Sequence, residues 1–221
     1  MNASIKYGAA LVAALAMFGA AAQAAPISTN PTIQSGNYTF SNFTIAVTSQ
    51  GNALPTTGAG NAVDVSGLSG ANGIQISSGF TAVGASSFSD AAISYVVTGT
   101  AGLTSVGLSF DGTFLGLAIS SVTETIYADA ARQNLVGQNY VSCSIDGCSR
   151  TASISLNGSY DTLYVTKDIN VSSFQAGDRA QTSVITQTYG PTAVPEPMSI
   201  ALFGTGLVGL GLVRRARKAA K

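Results

Sequence analysis

Few side chains in this sequence are suited to acid–base or nucleophilic chemistry. The 221 residues contain no histidine, two cysteines and ten carboxylic acids. The lack of histidine excludes Ser-His-Asp and Cys-His nucleophile activation and histidine-rich zinc sites. Two weaker patterns remain: Glu124 with one aspartate, as in glycosidases, and Asp168 with Asn170, which match the first two ligands of a calcium loop. We expect a non-enzymatic protein with no catalytic residue, cofactor or metal site.

The two cysteines carry a clearer signal. Cys143 and Cys148 enclose the spacer Ser-Ile-Asp-Gly, which is typical of a hairpin loop because Gly147 can adopt a positive φ. Such a loop places the cysteines opposite each other on paired strands, and an oxidising exterior favours a disulfide. Closing so short a loop contributes about 2 kcal/mol. A free or reactive thiol pair is the alternative, although the C-x-x-C spacing of redox-active pairs is missing.

The elements that position these residues begin with an export signal. Lys6 is the only charge among the first 63 residues, and an apolar run follows from Ala9 to Ala22. Ala22-Gln23-Ala24 is an A-x-A site, which predicts cleavage between Ala24 and Ala25. We interpret residues 1–24 as a secretory signal peptide handled by the Sec machinery; a permanent membrane helix is the alternative.

The C-terminal 28 residues, 194–221, combine three unlike parts. Pro195-Glu196-Pro197 disfavours helix and predicts an extended, accessible segment. Residues 198–213 carry no charge and span roughly 24 Å as a helix, slightly less than the ~30 Å hydrocarbon core. The basic tail, residues 214–221, should remain cytoplasmic under the positive-inside rule; its first cations are Arg214, Arg215, Arg217 and Lys218. We predict a transmembrane helix, with a buried core helix as the alternative.

This order of proline-rich motif, apolar span and basic end resembles the PEP-CTERM sorting signal of Gram-negative bacteria. The resemblance implies recognition by an exosortase and cleavage near Pro195-Glu196-Pro197. It also implies transient anchoring in the inner membrane, followed by export to the cell surface or matrix, often alongside exopolysaccharide synthesis. Segments around Leu108, Glu124 and Lys167-Asp168 resemble one group of such proteins that has no assigned chemistry. We expect Glu124 and Lys167-Asp168 to form a solvated pair or a turn ion pair.

The body between the two ends, residues 25–193, has nine acidic and four basic residues, a net charge of −5. This composition argues against nucleic acid as a partner. Apolar residues recur with a period of two, and no long amphipathic helix is present. We therefore predict one all-β domain, an antiparallel β-sandwich or jelly roll. Local predictions are a bulge at Ser41-Asn42, a hairpin turn at Asp111-Gly112, a loop over residues 48–62 and a short helix-like patch at Ala128–Asn134.

Four functions are compatible with these features. The leading hypothesis is a structural or adhesive protein of the cell surface or of an exopolysaccharide or biofilm matrix. A module that binds a defined glycan is the alternative, although tryptophan is absent and tyrosines number eight. Ice binding requires a ladder of Thr-x-Thr, and the sequence offers Thr123-x-Thr125 and Thr186-x-Thr188. A hydrolase that uses paired carboxylates is the fourth hypothesis.

Overall fold

The computed structural model describes residues 24–190, and these fold almost entirely as β-strands. No α-helix occurs in this range, and short 3-10 turns lie at Ile27–Thr29 and Gly60–Ala62. The prediction of an all-β fold is confirmed. In chain order the strands are β1 Ala25–Pro26, β2 Ile33–Ser35, β3 Tyr38–Leu54, β4 Asp64–Gly67, β5 Gly73–Phe110, β6 Thr113–Leu115, β7 Ala118–Tyr127, β8 Leu135–Ser144, β9 Gly147–Ser149, β10 Thr151–Ser173 and β11 Arg179–Gly190.

All eleven strands belong to one continuous sheet, in which the 38-residue β5 makes most of the connections. The middle of β5, residues 87–99, lies between β3 and β10. Its two ends both pair with β11, through Ile76 opposite Ile185 and Val106 opposite Tyr189. Along each pairing the residue numbers of β5 decrease while those of β11 increase. The two strands therefore run antiparallel in both places.

The sheet folds back on itself because β5 runs through two layers. We define the first layer as β3, the middle of β5, the second half of β10, β7 and β8, which pair in that order. The second layer contains β4, the two ends of β5 and β11. The sequence predicted an antiparallel β-sandwich or jelly roll, and here one continuous sheet supplies both layers, because strands this long bend at bulges and glycines.

Apolar residues alternate along each strand and meet between the layers. In β7, the side chains of Val122 and Ile126 are fully buried while their neighbours are partly exposed. An aromatic cluster joins the layers: the Phe40 ring lies 5.5 Å from that of Tyr189, and the hydroxyls of Tyr95 and Tyr189 are 2.8 Å apart. Full burial of each such side chain contributes about 1.5–3 kcal/mol, so this interior supplies most of the driving force for folding.

The local predictions have mixed outcomes. The bulge in β3 is confirmed, since Asn42 has a φ of 55° and the register with β5 shifts between Ser41 and Thr44. The predicted loop at 48–62 is wrong for its first half, because β3 continues to Leu54 and pairs with β5. Polar residues in an edge strand resemble a loop in the sequence. Backbone hydrogen bonds to β5 nevertheless keep these residues in the strand.

The predicted hairpin turn is wrong, and the short helix-like patch is not a helix, both for reasons that involve carboxylates. Asp111-Gly112 is not a hairpin turn, because β6 pairs with β11 and Asp111 Oδ1 accepts hydrogen bonds from the backbone N–H groups of Ser183 and Val184, at 2.8 and 3.0 Å. The patch Ala128–Asn134 is not helical, because the Asp129 carboxylate accepts backbone hydrogen bonds from Gln133 and Asn134 and closes a turn. In both places an aspartate carboxylate accepts hydrogen bonds from backbone N–H groups. In a hairpin or a helix, backbone carbonyl oxygens would have accepted such bonds instead.

The cysteine prediction is confirmed. Cys143 in β8 lies opposite Cys148 in β9 with a Cα–Cα distance of 4.1 Å, and the two form a disulfide. The turn is tighter than the sequence suggested, because Ser144 pairs with Gly147 and leaves only two residues at the tip. Gly147 has a φ of 129°, so glycine is required there by the backbone.

Candidate functional site

The site residues predicted from the sequence fall into three groups. Cys143 and Cys148 form the disulfide described above. Ala24 is exposed, and Ala25 begins β1, where it pairs with Val65 of β4. The remaining predicted positions lie outside the described residues: Ala22, Pro195, Glu196, Pro197, Arg214, Arg215, Arg217 and Lys218.

The described residues therefore do not test the predictions of signal-peptide cleavage, the sorting motif and the membrane span. Within residues 24–190, no helix is long and apolar enough to cross a membrane. The predicted span, residues 198–213, lies outside that range.

The first layer presents a polar surface that its strand register organises into three rows. Each row crosses β3, β5, β10, β7 and β8, and its side chains point away from the core because their strand neighbours are buried. We call these fifteen residues the outer face. The rows are Thr44, Ser94, Thr166, Thr125 and Gln138; Ala46, Ala92, Asp168, Thr123 and Tyr140; and Thr48, Asp90, Asn170, Ser121 and Ser142.

Hydroxyl groups dominate the outer face. Nine of its fifteen residues are serine, threonine or tyrosine, and two more are amides. Hydroxyls and amides both donate and accept hydrogen bonds, so this surface can pair with a ligand that itself carries many hydroxyls. Tyr140 lies at one end of the middle row with 53% of its surface exposed, which makes its ring available for stacking.

Two carboxylates lie at the centre of the outer face. Asp168 of β10 and Asp90 of β5 are on adjacent strands, and the Asp90 carboxylate also accepts a hydrogen bond of 3.4 Å from Asn170 Nδ2. Partial burial, followed by the charge and hydrogen bond of Asp90, raises the pKa of Asp168 from its ordinary 3.8 to about 6. Asp168 is therefore a proton donor below about pH 6 and only an acceptor above it.

A shallow depression of about 260 Å³ surrounds these carboxylates. Small residues at its centre, Ala92 and Ser94, lower the surface, and Thr123, Thr166 and Asp168 rise beside them. The described residues contain no group of three or more histidine, cysteine or acidic side chains that could hold a metal ion, and neutral hydroxyls are the weaker ligands for Ca²⁺.

A larger depression of about 630 Å³ lies between β3 and the loop of residues 55–62. Its lining includes Phe43, Ile45, Thr57 and Asn61 and contains no ionisable side chain. The loop also binds the edge of β3, through Gly58 N–H to Val47 O at 3.0 Å. We therefore place the candidate site at the smaller depression, which combines two carboxylates with several hydroxyls.

The expectation of a solvated Glu124–Lys167 pair is wrong. Lys167 Nζ lies 2.9 Å from Glu124 Oε1, and neither side chain is exposed to solvent. The two residues are directly opposite in the β10–β7 register and both point inward. A buried Glu124 paired with lysine is also unavailable to a substrate at the surface, which removes the hydrolase that would use it.

Sequence reasoning also missed the residues that surround this pair. Gln187 and Asn139 are buried beside Glu124, and Asp90 lies beside Asp168 on the outer face. A signal for the inward residues existed, because Lys167 is in phase with Val165 and Ile169 in an alternating strand. No comparable signal existed for Asp90, since only the register of β5 with β10 brings it to Asp168.

Comparison with protein families identifies the C-terminal segment. Residues 193–218 match the model of the PEP-CTERM protein-sorting motif. This chain carries a PEP-CTERM sorting signal. The match covers Pro195-Glu196-Pro197, the apolar span and most of the basic tail, and it implies an exported protein that an exosortase processes and sorts to the cell surface. A search of curated proteins gave no match for the chain.

Solved structures show partial similarity to the β domain. TmCBM61 in complex with β-1,4-galactotriose is 12% identical, with 66% of this chain and 88% of that chain covered and a TM-score of 0.34. Tailspike protein 4 of bacteriophage CBA120 is 14% identical, with coverages of 67% and 19% and a TM-score of 0.31. The Gap123 glycosylation-associated complex from Streptococcus agalactiae is 10% identical, with coverages of 66% and 26% and a TM-score of 0.30. This chain covers about a quarter or less of the length of the tailspike protein and of the Gap123 chain.

Proposed function

We propose that this PEP-CTERM protein is a non-enzymatic, structural or adhesive component of an exopolysaccharide or biofilm layer outside the cell. The observation that carries the proposal is the outer face, with its three rows of hydroxyl, amide and carboxylate groups on five paired strands. The sorting signal supports it, because it sends the chain to the compartment where polysaccharide is abundant. Hydroxyl-rich polymers offer such a face many equivalent hydrogen-bonding partners.

The chemistry of the outer face suits weak, repeated contacts. A hydrogen bond exchanged with water contributes about 0.5–1.5 kcal/mol, so a few contacts to one sugar give low affinity. Several copies of the protein on one polymer bind far more tightly than a single copy, because later contacts form at high effective concentration. Adhesion between polymer and cell then depends on the number of weak contacts and not on one deep pocket.

Export is the first step of the proposed function. The signal peptide, residues 1–24, directs the chain to Sec, and residues 198–213 hold it in the inner membrane until an exosortase cleaves near Pro195-Glu196-Pro197. Replacement of these three residues by alanine should leave the protein in the inner-membrane fraction. A variant that still reaches the surface in normal amount would show that the motif does not direct sorting.

Binding to polysaccharide is tested with the exported protein and exopolysaccharide isolated from the same cells. We expect co-sedimentation to weaken by about tenfold or more in the double variant Thr123→Ala, Asp168→Ala, because two side chains at the centre of the outer face are lost. The matched control is Thr186→Ala, Asp64→Ala, which makes the same changes on the second layer. If both variants bind like the unmodified protein, the outer face is not the contact surface.

The alternative is a module specific for one defined glycan, which the 260 Å³ depression beside Tyr140 favours. A glycan array distinguishes the two: strong binding to one structure supports the module, and weak binding to many hydroxylated polymers supports the adhesive. Ice binding is disfavoured, because Thr123-x-Thr125 lies on β7 and Thr186-x-Thr188 on β11, in different layers. An Asp→Asn scan with unchanged turnover of candidate glycans supports the non-enzymatic proposal.

A further inference from the structure

A cluster of polar side chains lies in the interior between the two layers, away from the outer face. Lys167 and Glu124 come from the first layer, and Gln187 comes from β11 in the second. Lys167 Nζ contacts Glu124 Oε1 at 2.9 Å and Gln187 Oε1 at 2.5 Å. Glu124 Oε2 accepts hydrogen bonds from Gln187 Nε2 at 3.2 Å and from Asn139 Nδ2 at 3.1 Å. One carboxylate thus bridges the amine and the amide nitrogen of Gln187.

The chemistry of the donors fixes the orientation of the Gln187 amide. A lysine amine offers no acceptor when charged, so the atom of Gln187 that faces it must be the carbonyl oxygen. An ionised carboxylate only accepts, so the atom facing Glu124 must be the amide nitrogen. The carbonyl of Gln187 is therefore turned toward the lysine, and its NH₂ group toward the carboxylate.

The surroundings make Lys167 easier to deprotonate than an exposed lysine. Burial lowers the pKa of Lys167, and the nearby Glu124 charge only partly opposes that shift. A buried ion pair exists close in energy to its neutral form, in which the lysine proton has moved to the carboxylate. Once deprotonated, Nζ has a free lone pair, and it lies 2.5 Å from the carbonyl oxygen of the Gln187 amide. Groups that a fold holds in reacting geometry reach effective concentrations on the order of 10⁵–10⁸ M.

We propose that Lys167 and Gln187 form an intramolecular isopeptide bond. Lys167 passes one proton to Glu124, and the Nζ lone pair attacks Cδ of Gln187 to give a tetrahedral intermediate. Glu124 returns this proton to Nε2 and relays a second proton from Nζ to the same nitrogen, the Cδ–Nε2 bond breaks, and ammonium leaves. The product is an Nζ–Cδ amide with Glu124 regenerated, so that atoms and charge balance without an oxidant or reductant. Glu124 is the general acid and base of this step.

Asn139 is the second amide in the cluster, and its contacts assign it a different role. Its Nδ2 donates to Glu124 Oε2 at 3.1 Å and to the carbonyl oxygen of Val106 at 3.4 Å. These bonds orient the carboxylate, whereas the amine contacts Gln187. Asn139 is therefore a positioning residue, and Gln187 is the reacting amide.

The bond would join the two layers through their centre. Lys167 lies on β10 in the first layer and Gln187 on β11 in the second, and β11 is the last described strand before the sorting motif. A covalent link at this place prevents β11 from detaching when the C-terminal end is pulled. This resistance would suit a protein that carries load in an extracellular layer.

Peptide mapping of the exported protein, after reduction of the Cys143–Cys148 disulfide, tests the proposal. Trypsin cuts after Arg150, Lys167 and Arg179 in a linear chain. We expect residues 151–179 to remain uncut at Lys167 and to be attached to the peptide that begins at Ala180, with the pair lighter by one ammonia, about 17 Da. Recovery of only the linear peptides 151–167 and 168–179 overturns the proposal, as does a branch at Asn139.

Variants assign the roles of the residues. Glu124→Gln and Gln187→Glu should both give linear peptides, because the first removes the proton carrier and the second removes the leaving ammonia. The matched control is Gln181→Glu, the same change at a partly exposed position of β11, which should keep the branched peptide. A branched peptide in Gln187→Glu at the level of the control overturns the assignment. The test of the unmodified protein stands even where a variant fails to fold, and it is independent of polysaccharide binding.

Discussion

Lys167 and Asp168 are consecutive residues of β10, yet the sheet gives them opposite environments. Lys167 points inward, where its charge meets Glu124 at 2.9 Å without solvent. Asp168 points outward, where it lies beside a like charge, Asp90, and remains partly exposed. The interior tolerates a charge only with an opposite partner, whereas at the surface water screens two carboxylates that share one site. Chemistry that depends on exclusion of water belongs to the inner cluster, and recognition of soluble partners belongs to the outer face.

The largest expected effect comes from leaving the inner carboxylate without its partner. Lys167→Met should lower the free energy of unfolding by about 3–5 kcal/mol, because Glu124 then remains buried and unpaired. Urea denaturation at pH 7 measures this change. The double variant Glu124→Leu, Lys167→Met should be more stable than Lys167→Met alone. A loss below about 1 kcal/mol in Lys167→Met would mean that the pair is solvated in solution.

The next effect tests a neutral contact between the layers. Tyr189→Phe should cost about 1–3 kcal/mol, because the Tyr95 hydroxyl loses its 2.8 Å partner in the interior. Burial, followed by the charges of Tyr95 and Glu124, raises the pKa of Tyr189, so that the hydroxyl stays protonated at pH 7. The control is Tyr140→Phe on the outer face, where water replaces any lost bond. Equal stability of the two variants contradicts the contrast between interior and surface.

The smallest effect concerns pH and the outer face. The pKa of Asp168 is raised from 3.8 to about 6, so the folded state holds a proton in this window that the unfolded state has released. The contribution of Asp168 to the free energy of unfolding should therefore be fully present below about pH 4 and be lost as pH rises through 6. Asp168→Asn should flatten this slope and raise stability at pH 7 by less than ~1 kcal/mol, since the group is half exposed.

Thermal melting of both proteins between pH 4 and 7 measures the slope. Asp64→Asn on the second layer serves as the control and should keep the slope of the unmodified protein. An unchanged slope in Asp168→Asn would show that the pKa of Asp168 is not raised in solution.

The fold was predictable at the level of strand content and poorly predictable at the level of turns. Period-two alternation identified the strands that carry Val122, Tyr95 and Ile185 because each has one buried face. Asp111 and Asp129 were misread as parts of a hairpin and of a helix-like patch. The Asp111 carboxylate binds backbone N–H groups that are distant in sequence, and that of Asp129 binds N–H groups at the end of its own turn. Side-chain hydrogen bonds of this kind have no periodic signature.

The residues of the candidate sites were also predictable only where their partners lie close in sequence. The cysteine pair was predictable because both partners lie in one short hairpin, at a separation of five residues. Glu124 and Lys167 were recognised as notable but were expected in water, although their phase with apolar neighbours indicated the interior. Gln187 and Asp90 were not found at all, because each meets its partner on a different strand that is far away in the sequence.

By itself, the sequence determined where the chain goes and what kind of fold it forms. The sorting signal is a local pattern within residues 193–218, and alternation along a strand indicates which of its faces lies on the core. Tertiary structure alone decided which polar residues meet. Register between β5, β10 and β7 brought the outer carboxylates together, and the fold of β5 through two layers brought Gln187 to Lys167. Such contacts depend on packing between residues tens of positions apart, which local pattern does not encode.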